Sequence, residues 1–531
     1  MSYNLLDEAW IPVLLKDRAA AQLSLLDVFR QSPLVRRICA ELPTQSFAIL
    51  RLLLAICHDA VGFHDEDDIA EALENGLDVE RIVDYLEQHR GRFDLFDPQT
   101  PFYQVATLRT AKDEHSGLEK LISDVPNGTQ FLTVRSGEAV ERISAAEAAQ
   151  WLVHCHAFDP SGIRSGAVGD PEVKGGRGYP IGPGWCGQIG GVVLHGDSLA
   201  RTLVLNLVPT EGKPSDRPVW VLDPQTEQRK IEPTVPGPVS LLTWQSRRIR
   251  LVGDRDGVTG LVLAQGDKMT PQNRHDVEYM TAWRYSKPQS KKFGIDVYMP
   301  LKHDPARSGW RGLPAILSTP KVEDGKELTR RPRIVDSIGD ISSFGDEDLE
   351  YSVGIELVGM DYGPQEATVA ELVHDELDVR ASLLGKQAVH VRAAVQDATD
   401  MADNCIWALG RLASSLAEAA GDFDGLDGAR DRATLNAWAA IDPAARAWLS
   451  RLHAESVIVD ALREWQKELG RILSEQAALL LENCPPQSVV GRKTKRGYVS
   501  AGIAEARFWA AIRKELTLAY PPTGEEENKN E

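Results

Sequence analysis

Two His-Asp dipeptides, His58-Asp59 and His374-Asp375, and the HDEDD run at 64–68 supply side chains of the kind a metal-dependent phosphohydrolase uses. Two-metal chemistry needs several His and Asp groups converging on the ions. Their settings point elsewhere: His58 and Asp59 close an apolar helical stretch, and 64–68 opens the next helix, where acids suit the N-terminal dipole. Gly182, Gly184 and Gly187 spell GxGxxG, but the dinucleotide fingerprint needs a strand before it and a helix after it. Here Pro180 and Pro183 intervene and a strand-like run follows. Phosphate-loop, nucleophile-elbow and HExxH motifs are absent. Cys39, Cys57, Cys155, Cys186, Cys405 and Cys484 show no CxxC spacing, so neither a structural zinc site nor a disulfide framework is expected, and no cofactor is implied.

Contact with a polyanion fits the sequence better. The stretch Pro160–Gly191 holds eleven of the chain's 43 glycines in 32 residues, with Lys174 and Arg177 among them. So much glycine costs backbone entropy, and what it offers is left-handed backbone and close approach to another molecule; a long flexible connector is the alternative. A second segment, 284–312, interleaves Arg284, Lys287, Lys291, Lys292, Lys302, Arg307 and Arg311 with Tyr285, Phe293, Tyr298 and Trp310. Clustered cations beside aromatics are what phosphate tracking and groove contact need, although a solvated charged face reads the same way. The net charge of −19 excludes a free-standing, non-specific DNA binder, so nucleic-acid contact must use local patches or be shared with a basic partner. The twelve Trp residues are scattered over helix faces and strands, and most read as core rather than as base-stacking platforms.

The elements that must carry these groups divide the chain. At 531 residues it is too long for one core. NLLDEAWIPVLL reads as a short strand with Trp10 and Ile11 in the core. Helical periodicity covers 44–61, 66–77, 79–89 and 144–155, with Ser144 and Glu147 fitting a capping box. From about 190 to 360, the runs LARTLVLNLVP, PVWVL, VSLLTWQSRRIRLV and VTGLVLAQG predict antiparallel strands. From Gln365 the pattern turns helical, over 366–420, 432–452, 454–482 and 501–518, as in an up-down bundle. The fold class is therefore α+β: a mixed N-terminal domain over 1–368, an all-α, four-helix-type bundle over 369–520, and a polar, disordered tail at 521–531. With acids in the first ten residues and FAILRLLLAIC too short to span a bilayer, a cytoplasmic location without membrane contact is expected.

NLLDEAWIPV at 4–13, GDSLARTLVLNLV at 196–208 and ELVGMDYGPQEATVAELVHDELDV at 356–379, together with the terminal helices, resemble the large subunit (CasA) of the type I-E CRISPR Cascade complex, in the same order along nearly the whole chain. The resemblance implies a non-enzymatic subunit that joins other Cascade proteins and a CRISPR guide RNA. It would inspect double-stranded DNA for a protospacer-adjacent motif, help open it, and dock the helicase–nuclease. It places a wedge on Gln365, Glu366, Ala367 and Thr368, a lysine finger on Lys292, and a glycine loop near Ser161 and Gly162. Phe131 and Leu132 would lie in the segment that reaches the guide RNA's 5′ end. The basic turn of Arg492, Lys493, Lys495 and Arg496 is a candidate for the displaced strand, or a solvated turn. Two departures stand out: Glu366 is an acid where relatives carry a neutral amide, and the cysteine cluster of some relatives is missing. Minor-groove edges separate mainly A·T from G·C, so such a reader tolerates related motifs. A wedge there opposes stacking worth a few kcal/mol per step.

Overall fold

A computed structural model describes residues 2–521, apart from 124–134, 136–137, 308, 318–321, 324, 342–350 and 495–496. Phe131, Leu132, Lys495, Arg496 and the tail beyond 521 lie outside the described residues. The chain forms two compact units: 1–309 with 320–346 and 353–376, and 310–319 with 347–352 and 377–531.

The first unit opens with β1 (Ile11–Leu15) paired antiparallel to β2 (Ala20–Leu23) on one side and β3 (Val35–Ile38) on the other. Trp10 is fully buried beneath them and satisfies its indole N–H on Leu5 O at 3.2 Å. Helix α1 (Pro43–Val61) starts on Pro43, whose missing N–H costs nothing at that position. It is longer than the apolar stretch at 47–57 and is buried on nearly every face, as an all-round apolar helix requires. α2 (Glu66–Asn75) and α3 (Val79–Gln88) follow, each begun by an aspartate whose carboxylate accepts a backbone N–H: Asp65 from Asp68, Asp78 from Arg81. Ser144 caps α4 (Ala145–Phe158) by accepting from Glu147 N, but Glu147 turns its own carboxylate to Arg135, so only half of the expected capping box forms.

Beyond β4 (Gly191–His195) the structure departs from the expected run of strands. LARTLVL forms a short helix, α5 (Leu199–Leu205), with Ser198 accepting from Arg201 N. Asn206 then bonds both N and O of Leu194, at 3.0 and 2.7 Å, so the segment covers β4 rather than extending it. PVWVL is a turn, and 238–242 is a helical turn started by Pro238. Short apolar runs carry no decisive period, and tertiary contacts settled these. RRIRLV and VTGLVLAQ do form strands, β5 (Arg247–Asp254) and β6 (Gly257–Gln265), in one antiparallel ladder with a bulge at Val252/Gly253. Lys287–Phe293 is a two-turn helix, α6, closed by Gly294 in the left-handed region. It is inserted between the antiparallel strands 283–285 and 298–300.

β7 (Ser352–Tyr362) pairs antiparallel with β4, from Gly354 opposite His195 to Val358 opposite Gly191, and its other neighbour is β8 (Val369–Arg380). The segment 366–380 opens the Ala/Leu-rich run that predicts helix over 366–420, and here the structure departs from that expectation. It is a strand because it joins the edge of this sheet with Val369, Leu377 and Val379 alternating onto one buried face, and strand pairing overrides helix propensity.

In the second unit, α7 (Val389–Ala420) runs 32 residues with Val391, Val395, Ala398, Ala402, Cys405, Leu409, Leu412 and Leu416 along its buried stripe. It packs against α8 (Leu426–Leu449), α9 (Ile458–Glu482) and α10 (Ala501–Glu515). Trp465 stacks near Trp448, at 5.3 Å between ring centroids, and donates to Ala398 O at 3.2 Å. This is the helical C-terminal region expected from the periodicity, with two short antiparallel strands, Arg492–Thr494 and Gly497–Val499, added.

Candidate nucleic-acid interface

The glycine stretch is folded and pinned. Strand residues 164–165 pair antiparallel with 177–178, so the stretch doubles back on itself. At its base Arg247, fully buried on β5, donates to the Asp159 carboxylate and to the carbonyls of Asp159, Pro160 and Gly182, at 3.1, 3.0 and 2.9 Å. Arg164 adds a second guanidinium, 2.7 Å from both Asp159 Oδ2 and Pro160 O. Burial alone would raise the Asp159 pKa; the two arginines outweigh it and hold the carboxyl below its ordinary value. Gln265 on β6 donates to Gly162 O at 2.7 Å. Several glycines are explained by internal packing rather than by an outside molecule: a Cβ on Gly184 would lie 2.4 Å from Ala157 O.

The turn between β7 and β8 meets this loop. Gln365 (φ 60°, ψ 16°) and Glu366 (φ 55°) both occupy the left-handed region, which costs a non-glycine residue about 1–2 kcal/mol. Glu366 N donates to Gly363 O and Gly363 N to Thr368 O, both at 2.9 Å, and Ser161 N donates to Glu366 O at 2.8 Å. The last bond joins loop to turn. Tyr362, buried at the end of β7, donates its hydroxyl to Phe158 O at 2.7 Å, and Gly187 leaves the ring its space, since a Cβ there would fall 2.2 Å from Tyr362 Oη. Lys302 Nζ stands 3.6 Å from Glu366 Oε1 and 5.7 Å from the Tyr362 ring centroid. Gln365, Glu366, Ala367 and Thr368 are exposed.

The structure therefore brings Ser161 and Gly162 to the turn that carries Gln365, Glu366, Ala367 and Thr368. Lys292 sits in the last turn of α6, exposed, with Nζ 5.2 Å from the Phe293 ring centroid. Among the described residues no hydrogen bond, ion pair or ring contact ties it to the loop or the turn. Lys287, Lys291 and Lys292 have no ion-pair partner among the described residues, whereas Arg307 pairs with Asp304 and Lys302 with Glu366. In the second unit, Arg492 donates to Ala419 O and Ala420 O at 3.0 and 2.7 Å, closing the C-terminus of α7, while Lys493 is exposed. Lys302 and Arg247 are the residues that sequence reasoning missed as site components. Lys302 was visible only as one cation in a basic segment, and Arg247 only as part of a strand.

The His-Asp dipeptides are engaged separately. His58 is buried between Phe63 and Tyr279, and burial, aided by Arg333, lowers its pKa to about 3. Asp59 accepts from Tyr85 Oη at 2.6 Å and pairs with Arg217. Asp375 accepts from Gly309 N at 2.6 Å. Among the described residues no three His, Cys, Asp or Glu side chains are grouped to hold an ion.

His374 on β8 instead shares Glu356 on β7 with His195 on β4: Nε2 to carboxylate oxygen is 2.9 Å for His374 and 2.6 Å for His195. Burial would raise the Glu356 pKa, but the two imidazoles bring it down to about 2. The hydrogen bond to Glu356, with Glu376 and Asp375 adding charge, raises that of His374. A raised His pKa gives stability that is complete below about 6.5 and lost as pH rises through the folded value. A depressed Glu pKa gives stability lost as pH falls below about 4.3. His374→Ala should therefore cost more at pH 6 than at pH 8.5, by about 0.5–1 kcal/mol given the half-exposed ring. Equal losses at the two pH values in chemical denaturation would remove the charged pair from the account.

Comparison with known proteins follows the same course along the chain. The family model for CRISPR-associated protein Cse1 matches residues 4–476. The CRISPR-associated protein CasA/Cse1 of Thermus thermophilus is 26% identical over 428 residues, 78% of each chain. The crystal structure of Thermobifida fusca Cse1 superposes with a TM-score of 0.89 at 40% identity, covering 98% of this chain and 99% of that one. A chain of a solved CRISPR RNA-guided surveillance complex shares the fold at 18% identity, with a TM-score of 0.66 over 90% of this chain and 99% of its own.

Proposed function

Because the chain belongs to the CRISPR-associated Cse1 (CasA) family, we propose that it is the non-catalytic large subunit of an RNA-guided surveillance complex. It reads the protospacer-adjacent motif of double-stranded DNA from the minor groove and helps open the duplex beside it. Its partners are the other Cascade proteins, the CRISPR guide RNA, the target duplex with its displaced strand, and the helicase–nuclease. The observation that carries this reading is the bond from Ser161 N to Glu366 O, which fixes an exposed left-handed turn to a glycine loop. A rigid, narrow projection beside backbone that can approach closely is what a reader and wedge in one groove require. Lys292, exposed and free of an ion pair among the described residues, is available to the groove. Most of the nucleic acid is held by partners, which reconciles DNA contact with a net charge of −19. The exchange of duplex for RNA–DNA hybrid is nearly balanced, so small contributions at the motif decide whether opening spreads.

The test is duplex binding by the guide complex reconstituted with and without this chain, over a salt series, with intact and scrambled flanking motifs. The chain should confer motif-dependent binding, and each phosphate contact it adds should steepen the log–log salt slope by about 0.9. Lys292→Ala and Gln365→Ala should each weaken the intact-motif duplex about tenfold and the scrambled one little. Binding indifferent to both the motif and the chain would leave a purely architectural subunit.

A further inference from the structure

We propose that Lys302 is a positioning residue of the turn 363–368: it neutralises Glu366 and holds that carboxylate against Tyr362, so that the duplex meets an uncharged turn led by Gln365. The inference rests on the DNA-reading function above and accounts for the acid that the turn carries. A carboxylate presented to a duplex faces phosphate repulsion and, in a narrow minor groove, an enhanced negative potential. Glu366 cannot retreat through its backbone, which Ser161 N and Gly363 O fix on either side. Its charge must be answered locally.

Lys302 is built to answer it. Its neighbours are clamped to the end of the glycine stretch: His303 Nε2 lies 2.8 Å from Gly191 O, and Gly190 admits Leu301 O so closely that a Cβ there would stand 2.4 Å away. On the other side, Leu301 N donates to Ala282 O at 2.8 Å, next to the strands 283–285 and 298–300 that flank α6 and Lys292. Lys302 thus stands beside both the loop and the turn, at the end of the 283–285 and 298–300 pair that is away from α6. Its side chain is 39% exposed and that of Glu366 48%, so the pair contributes little to the stability of the free chain. When DNA covers the turn and water leaves, the attraction strengthens and an unpaired Glu366 becomes costly. Tyr362, whose hydroxyl is tied to Phe158 O, supplies a fixed ring face beside the ammonium.

The experiment compares Lys302→Ala, Glu366→Gln and the double variant in the reconstituted guide complex, with Lys292→Ala as the control for motif reading. Lys302→Ala should weaken the intact-motif duplex about tenfold, Glu366→Gln should tighten it up to about threefold, and the double variant should return to within about threefold of the unsubstituted complex. Because Lys302 is occupied by Glu366, its removal should leave the salt slope unchanged, whereas loss of a phosphate contact would reduce it by about 0.9. Lys302→Ala without effect, or a double variant as weak as Lys302→Ala, overturns the inference while the Lys292→Ala response leaves DNA reading intact. Absence of motif dependence in the unsubstituted complex overturns both.

Discussion

Arg247→Met should cost the first unit about 3–5 kcal/mol and take motif-dependent DNA binding with it, although Arg247 is not exposed to any ligand. The guanidinium is fully buried, Asp159 is 6% exposed, and the fork reaches one carboxylate and three further carbonyls at the base of the glycine loop. Asp159 would lose one of its two guanidinium partners, and the buried carbonyls of Asp159 and Gly182 would each lose a charged donor, which is where that magnitude comes from. Asp159 would keep Arg164 and Pro160 O would keep the same partner, but Gly182 O would lose its donor, so the two ends of the doubled-back loop, still joined by Gly184 N to Asp159 O at 2.9 Å, would loosen at their base. Ser161, one residue beyond Pro160, would then no longer present its N–H to Glu366. Arg247→Lys should recover under half of the loss, since one ammonium cannot reproduce a planar fork with donors aimed at several acceptors. Calorimetric unfolding of the isolated chain checks the stability claim, and the intact-against-scrambled motif ratio checks the coupling. An Arg247→Met protein with unchanged unfolding would show that the loop is held by its other contacts.

What the sequence made legible was local. Ser144 announced a helix start because a cap needs only a side chain and a backbone three residues on. The long stripe of α7 repeats its signal over 32 residues and reads as helix, although the expected segment begins at 366 and the helix at Val389. LARTLVL and VAELVHDELDV were misjudged because covering β4 and pairing with β7 decide their form, and those partners lie elsewhere in the chain. The site shows the same division. The turn at Gln365–Thr368 and Ser161–Gly162 came from family resemblance, and their junction through one backbone bond had no signature in either segment. Arg51 interrupts the apolar run at 47–57 and Arg247 and Arg248 open a strand run, positions where charges ordinarily face solvent, yet all three are buried. A buried arginine is recognisable only through its carboxylate, and for Arg51 that carboxylate is 227 residues away.

That pair yields the other large expected effect, and the two halves should not be equivalent. Arg51 meets Glu278 bidentately, at 3.0 and 2.9 Å, with exposures of 2% and 1%. Glu278 also accepts from Trp185 Nε1 at 2.6 Å and Met280 N at 3.0 Å, so it holds the far end of the glycine stretch as Arg247 holds the near end. Arg51→Met leaves a carboxylate with two neutral donors, and a stranded carboxylate can take up a proton and shed its charge. Glu278→Gln leaves a guanidinium that cannot lose its proton and stays charged in the core. Glu278→Gln should therefore be the more damaging single change, at about 4–5 kcal/mol against about 3 for Arg51→Met. Lowering the pH from 8 to 5.5 should narrow the Arg51→Met deficit and leave that of Glu278→Gln unmoved. The double change to Met and Gln should fall below the sum of the singles, because no lone charge remains and glutamine can still accept from Trp185 or Met280. Denaturation midpoints for the three variants at the two pH values decide this. Equal single losses with no pH dependence would mean that packing around Trp185, and not the buried charge, sets the cost.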